Sequence, residues 1–332
     1  MSNSYGKLFR FTIFGQSHAP AIGVCIEGLP SGFKINTEKL SEFMARRAPG
    51  GKYATSRRET DEIEFISGLV EGKCCGAALT AIIKNTDIKT TDYEYMRHIP
   101  RPGHADYTAM VKYGESRDYS GGGQFSGRLT APLCIAGGIA KQLLEEKGIS
   151  ITAKIHSIGG EKDEEKIYRL IEQVKAEGDS VGGIIGCCIS GLPAGIGEPM
   201  FDGFENRIAQ AVFAIPAVKG IEFGAGFEAA NMLGSQCNDE FFLCDGRVQT
   251  ETNNHGGILG GISSGMPIEF RVAIKPTPSI AKEQRSVDMS RGTETTLKIH
   301  GRHDPCIVPR ALPCVEAAAA VALYDAILES ER

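Results

Sequence analysis

Apolar and polar side chains alternate from Ile268 to Ile274: Ile268, Phe270, Val272 and Ile274 share one face, and Glu269, Arg271 and Ala273 share the other. That period of two predicts a half-buried strand. Leu8–Phe14 is rich in aromatic and β-branched residues and stops at Gly15, so it reads as a strand delivering Gly15, Gln16, Ser17 and His18 at its tip. Ala21–Glu27, Ile63–Ser67, Leu79–Ile83 and Ile149–Ile155 read as further strands, and Val181–Ile189 is an apolar run. Helical spacing appears elsewhere. Thr37 offers an N-cap for a helix through Arg47, with Leu40, Phe43 and Met44 on one face, ended by Pro49-Gly50-Gly51. Pro132 suits the first turn of a helix to Glu146 that Gly148 closes. Glu164–Glu177 is another helix, Asp202 can cap one through Phe213, and Pro309–Leu328 carries five alanines between Ala317 and Ala322. Residues 85–124 show little apolar periodicity, as a long functional or disordered loop would. Strands and helices mix without a regular βαβα rhythm, so the expected fold class is α+β. No repeat, low-complexity tract or linker divides the chain, which predicts one large domain over residues 1–332.

Composition narrows the function classes. Among 332 residues, 42% are apolar and the formal net charge is −5, which disfavours a general nucleic-acid binder and confines basic character to local patches. Lys7 and Arg10 interrupt the first apolar stretch, and Pro313, Glu316 and Asp325 interrupt the last, so neither a signal peptide nor a membrane span is expected, and the expected location is cytoplasmic. The ten cysteines include no CxxC pair and read as reduced, mostly buried thiols. Cys74-Cys75 and Cys187-Cys188 would point to opposite faces of strands, so no metal site is expected.

Polar, glycine-rich loops carry the candidate chemistry. In Arg101-Pro-Gly-His104-Ala-Asp106 a histidine flanked by Arg and Asp suits proton transfer, and a turn histidine tied down by Asp106 fits equally well. His18 follows Ser17, but sequence neighbours rarely face each other and no GxSxG elbow is present, so a nucleophilic hydrolase is not expected. Gly121–Thr130 precedes a helix and could receive an anion on backbone N–H groups, Ser126, Thr130 and Arg128. Glycines 256, 257, 260, 261 and 265 would let backbone approach a flat ligand, or pack tightly against other backbone. Lys275-Pro-Thr-Pro-Ser279 is a rigid segment with a cation and hydroxyls. Asp304, beside Arg302 and His303, could be a general base, although half of a salt bridge is the better reading. Arginines 46, 47, 57, 58, 101, 128 and 302 join these loops and would suit a small polyanion if they converge.

Seven segments in chain order, Gly6–His18, Arg101–Asp106, Gly121–Thr130, Phe213–Glu222, Asn253–Gly265, Lys275–Ser279 and Gly301–Cys306, resemble the chorismate synthase family over nearly the whole chain. The resemblance implies a βαβ sandwich of antiparallel sheets and helices, a homotetramer, and a 1,4-anti elimination of phosphate from 5-enolpyruvylshikimate 3-phosphate to chorismate. Reduced FMN is the implied cofactor, without net redox change, and either NADPH or an external flavin reductase is its implied source of electrons. By the same resemblance His18 protonates the departing phosphate, His104 stabilises or protonates reduced flavin, and Asp304 assists deprotonation. FMN contacts fall on Gln124, Phe125, Ser126, Pro216, Ala217, Gly260, Lys275, Pro276, Thr277, Pro278, Ser279 and Arg302. Arg47, Arg101, Arg128 and Ser17 fall to substrate, with Arg47 also implied for pyridine nucleotide.

Gln16, Gln124, Phe125 and Leu129 depart from the family's usual polar or charged residues, and Lys52 is an uncertain match to a basic position near Pro49. Both histidines, Ser17, Ser126, Arg128 and Asp304 remain. Two other classes compete: a flavin- or nicotinamide-dependent oxidoreductase, which would show net hydride transfer, and a non-enzymatic anion- or RNA-binding module.

Overall fold

A carboxylate from the far end of the chain decides where the first long strand begins. Asp325 accepts the backbone N–H groups of Lys7, Leu8 and Phe9 at 3.0, 2.7 and 2.8 Å. Their donors are spent there, so the strand expected from Leu8 starts at Arg10. The computed structural model describes residues 3–48, 61–86, 96–299 and 304–332.

Two antiparallel sheets carry the fold. The first contains β1 (Ser4–Tyr5), β2 (Arg10–Gly15), β3 (Ala21–Glu27), β4 (Glu64–Ser67) and β5 (Leu79–Lys84), in the order β1-β2-β3-β5-β4. The second contains β6 (Ser150–Ile158), β7 (Gly183–Ser190), β8 (Val218–Phe223) and β9 (Ile268–Ile274), in the order β8-β9-β7-β6. Neighbours in both are antiparallel. The principal helices are α1 (Thr37–Ala45), α2 (Asp106–Tyr113), α3 (Thr130–Glu146), α4 (Glu164–Ala176), α5 (Phe204–Phe213) and α6 (Val308–Ser330). Helix α3 lies on β2, β3 and β5, α6 lies on β6 and β7, and the two helices pack on each other. This is the α+β sandwich the sequence predicts, with α3 and α6 between the sheets and one hydrophobic core running through both.

The alternation in Ile268–Ile274 survives intact, with Ile268, Phe270, Val272 and Ile274 buried. Helix α6 is long and apolar enough to cross a membrane, yet 89% of its apolar window is buried within the fold, which makes it a core helix. Its alanines permit close approach. A Cβ added to Gly137 of α3 would lie 2.3 Å from both Cα and Cβ of Ala317 on α6, and one on Gly138 would lie 2.6 Å from Leu40 of α1. The glycine pair therefore seats α3 between two helices at once. Gly137→Val is expected to lower the urea midpoint by about 1–3 kcal/mol of stability or more; an unchanged midpoint would mean that the helices are not in this contact.

Some local signals resolve differently. Asn36, not Thr37, caps α1, its side chain accepting the N–H of Lys39 at 2.9 Å. Asp202 does not cap α5: it lies in a short 3₁₀ turn and pairs with Lys7 at 2.9 Å, leaving Gly203 at the cap. The stretch 85–124 contains α2, which was not expected because Ala109 is its sole buried residue and so no apolar stripe marks it. Half of the ten cysteines are buried and all are free, and Cys187 faces the core while its neighbour Cys188 does not.

Candidate active site

Strand β2 ends at Gly15, whose φ of +98° suits glycine, and the chain turns through Gln16, Ser17 and His18. In a turn, adjacent side chains need not alternate, and here they meet: Ser17 Oγ lies 3.0 Å from His18 Nδ1. This overturns the expectation that sequence neighbours would not face each other. Ser17 Oγ also lies 3.2 Å from the carbonyl of Ser120, which can only accept. The hydroxyl hydrogen therefore goes to Ser120, Ser17 Oγ accepts from Nδ1–H, and Nε2 becomes the nitrogen that exchanges a proton. The same geometry removes Ser17 as a nucleophile. Gly121 closes over the imidazole: a Cβ there would sit 2.3 Å from His18 Cε1.

His104 sits just before α2, and its Nδ1 is 2.6 Å from Asp106 Oδ1. Arg101 grips the same carboxylate through Nε at 2.7 Å, a terminal nitrogen at 2.8 Å and its backbone N–H at 3.0 Å. Burial would raise the Asp106 carboxyl, but hydrogen bonds from Arg101 and His104, reinforced by their charge, hold it well below the usual carboxylate range. The ionised Asp106 orients the ring by taking Nδ1–H and leaves Nε2 outward. A carboxyl depressed in the folded state contributes stability that is complete above its ordinary pKa of 3.8 and is lost as pH falls below that value. The stability gap between wild type and Asp106→Asn is thus expected to narrow on acidification below about pH 4 in urea titrations at stepped pH; a gap that widens there would contradict the ion pair.

Arg101 then reaches across the site. It donates to the Gly121 carbonyl at 2.6 Å and to Ser279 Oγ at 3.5 Å. Lys275 Nζ donates to the Gly103 carbonyl, so the segment 275–279 docks on the Arg101–His104 loop. Burial, and then the nearby Lys219 charge, bring the Lys275 ammonium below the usual lysine range. Thr277 Oγ1 donates to the Asp304 carbonyl at 3.2 Å, and the Asp304 carboxylate pairs with Arg310 of α6. Arg310 Nε in turn donates to the Arg47 carbonyl at 2.9 Å.

Arg47, just past α1, and Arg128, just before α3, are both buried and share one carboxylate, Asp61. Burial opposes the charge of Asp61, and the two guanidinium groups more than offset it, so its carboxyl is held low. Arg128 Nε donates to Asn85 Oδ1 at 3.1 Å, and Asn85 Nδ2 donates to the carbonyls of Ala19 at 2.7 Å and Gln16 at 3.3 Å. The circuit is closed. From His18 through Gly121, Arg101, Ser279 and Thr277 to Asp304, and from Arg310 through Arg47, Asp61, Arg128 and Asn85 back to the His18 turn, each link is a contact or a short run of chain.

Three of the four described arginines singled out from the sequence, Arg47, Arg101 and Arg128, join this ring. Arg46 instead pairs with Glu316 at 2.8 Å, as do Lys141 at 2.7 Å and the Ala153 N–H at 2.9 Å. Lys52, Arg57, Arg58, Arg302 and His303 lie outside the described residues. Ser126 caps the turn that carries Arg128, accepting its N–H at 3.2 Å; Gln124 and Phe125 form the preceding turn, with Phe125 against Tyr113. Ala217, after Pro216, holds a φ of +74° and accepts the Lys275 N–H at 2.9 Å, so this pair abuts the 275–279 segment. Gly260 is placed elsewhere, at the tip of a hairpin packed on residues 196–204. Most of the glycines around it serve backbone packing: Cβ atoms on Gly257 and Gly261 would lie 2.4 and 2.3 Å from the carbonyl oxygens of Pro267 and Glu198.

Asp61, Asn85 and Arg310 were not singled out from the sequence. Asp61 lies among several acidic residues with no local pattern, Asn85 merely follows a strand, and Arg310 lies in an apolar helix. Their partners are distant in the chain.

The chorismate synthase family model matches residues 9–328. A chorismate synthase of Thermococcus kodakarensis is 47% identical over 343 residues, covering 97% of both chains, and one of Chitinophaga pinensis is 46% identical over 330 residues, covering 99% of this chain and 98% of the other. A crystal structure of chorismate synthase superposes with a TM-score of 0.77 at 29% identity, covering 98% of this chain and 93% of that one. The order of the motifs, the α+β sandwich and the full-length match agree: this chain belongs to the chorismate synthase family.

Proposed function

We propose that this chain eliminates phosphate from 5-enolpyruvylshikimate 3-phosphate in the 1,4-anti sense, giving chorismate with reduced FMN bound and no net change of redox state. The closed ring of loops carries this reading: it gathers Arg47, Arg101 and Arg128 with two oriented imidazoles, as a substrate with two carboxylates and a phosphate requires. Arg47 Nε is buried and has no hydrogen-bond partner among the described residues, a donor that an anionic ligand would satisfy.

His18, set by Ser17 with its proton on Nδ1, delivers a proton from Nε2 to the departing phosphate oxygen. The arginines hold the substrate's anionic groups and offset the charge that accumulates as the C–O bond breaks. His104, aligned by Asp106, presents Nε2 to the flavin, and Asp304, fixed by Arg310, accepts a proton at its carboxylate. The donor set of Lys275, Thr277, Ser279 and Ser126, with the flat faces of Pro276 and Pro278, suits a phosphate-bearing planar cofactor, and the lowered Lys275 would gain from an added anion. Gln124, Phe125, Pro216, Ala217 and Arg302 complete the proposed FMN set, and Gly260, at its hairpin tip, falls outside it. When bound, reduced FMN supplies transient electron density to the breaking bond.

The same reading takes residues 1–332 as one cytoplasmic domain, supported by the continuous core, and four copies as the working assembly. Phe201, Phe227 and Leu243 are 89%, 84% and 75% exposed, large apolar side chains that a homotetramer would cover. An anaerobic assay of phosphate and chorismate, first with chemically reduced FMN and then with oxidised FMN plus NADPH, tests the activity and separates self-reduction from dependence on an external flavin reductase. Stoichiometric consumption of reductant without phosphate release would instead identify an oxidoreductase.

A further inference from the structure

Where α3 and α6 pack together, Cys134 and Cys314 place their sulfurs 3.8 Å apart, Cys134 donating to Cys314. Both are buried and free. Cys314 also donates to the Arg310 carbonyl at 3.6 Å, and Arg310 Nε donates to the Arg47 carbonyl at 2.9 Å. The thiol pair therefore lies directly under Arg47 and Arg310, two links of the ring, and the mechanism above uses neither sulfur.

We propose that Cys134 and Cys314 are a redox-active dithiol that closes to a disulfide and thereby unseats Arg47, an effect that rests on the reading of Arg47 as an anion-binding residue. The hydrogen bond from Cys134 above all, against burial and with the charge of Arg47, brings the Cys314 thiol below its ordinary range and so favours the nucleophilic thiolate. The oxidant is hydrogen peroxide, which reduced flavins release on meeting dioxygen. The Cys314 thiolate attacks one peroxide oxygen, breaking the O–O bond and releasing hydroxide, which takes up a proton; Cys314 becomes a sulfenic acid. Cys134 then attacks that sulfur, the S–S bond forms and the S–O bond breaks, and water leaves with the Cys134 proton. Two thiols and one peroxide thus yield one disulfide and two waters. The sulfurs must close from 3.8 Å to about 2.05 Å, which draws the side chains of α3 and α6 together and removes the S–H that Cys314 donates to the carbonyl of Arg310, the residue that anchors Arg47.

The test treats the reduced full-length protein with peroxide, alkylates it and maps its cysteines by mass spectrometry. The expected product is a Cys134–Cys314 cross-link, lighter by two hydrogens and reversed by dithiothreitol, with phosphate release falling on the order of a hundredfold and recovering on reduction. Cys134→Ala cannot bridge and is expected to keep its turnover through the same treatment. Should the native activity prove different, a second readout stands apart from it: the rise in melting temperature caused by inorganic phosphate is expected to shrink on bridging. Thiols that stay reduced, or that reach sulfinic acid unbridged, would overturn the proposal. So would a mapped bridge that leaves both turnover and the phosphate effect unchanged.

Discussion

His18→Ala is expected to lower turnover with pre-reduced FMN by a factor on the order of 10²–10⁴, the range for removal of a general acid, with its melting temperature close to that of the wild type. The imidazole lies in a turn beyond β2 and outside the hydrophobic core, so its loss leaves no large apolar cavity. Its Nδ1 is committed to Ser17, and under the proposed reaction its Nε2 meets the leaving group in the transition state, so kcat and kcat/KM should fall together. A loss confined to KM would make His18 a binding group, and full turnover would remove the proton delivery assigned to it. His104→Ala is expected to fold and to lose most turnover as well, through the flavin side of the site.

Asp61→Asn should be the most destabilising of the site variants. It leaves Arg47 and Arg128 buried without the carboxylate they share, and breaking a buried ion pair in this way costs about 3–5 kcal/mol. Asparagine fills nearly the same space, so the loss isolates charge from packing. Because an added anion can take the missing place, inorganic phosphate should raise the urea midpoint of the variant more than that of the wild type. A stability loss below about 1 kcal/mol, typical of exposed pairs, with no extra response to phosphate, would show that Asp61 does not neutralise these arginines in solution.

His18, His104, Arg47, Arg101 and Arg128 were legible because their residue types and their glycine-bearing loops recur in an order that a family resemblance recognises, and each lies in the ring or, for His104, against Arg101 of it. Asp61, Asn85 and Arg310 were not legible, since each acts through a partner tens to hundreds of residues away: Asn85 is 43 positions from Arg128, and Arg310 is 263 from Arg47. Local pattern also misplaced small things for the same reason. Leu8 and Phe9 look like strand, but Asp325 claims their N–H groups from 317 and 316 residues away.

Periodicity was sufficient for most strands of the two sheets, though not for Ser4–Tyr5 or Val218–Phe223, and for the core helices, because burial of an alternating face or an apolar stripe is a local property that the chain writes in its residue order. Which polar groups neutralise one another is a property of three-dimensional distance. Electrostatic and hydrogen-bond partners therefore emerged once α3 and α6 had packed between the sheets and brought the loops to one place, and that packing turned a set of separate histidines and arginines into a single ring.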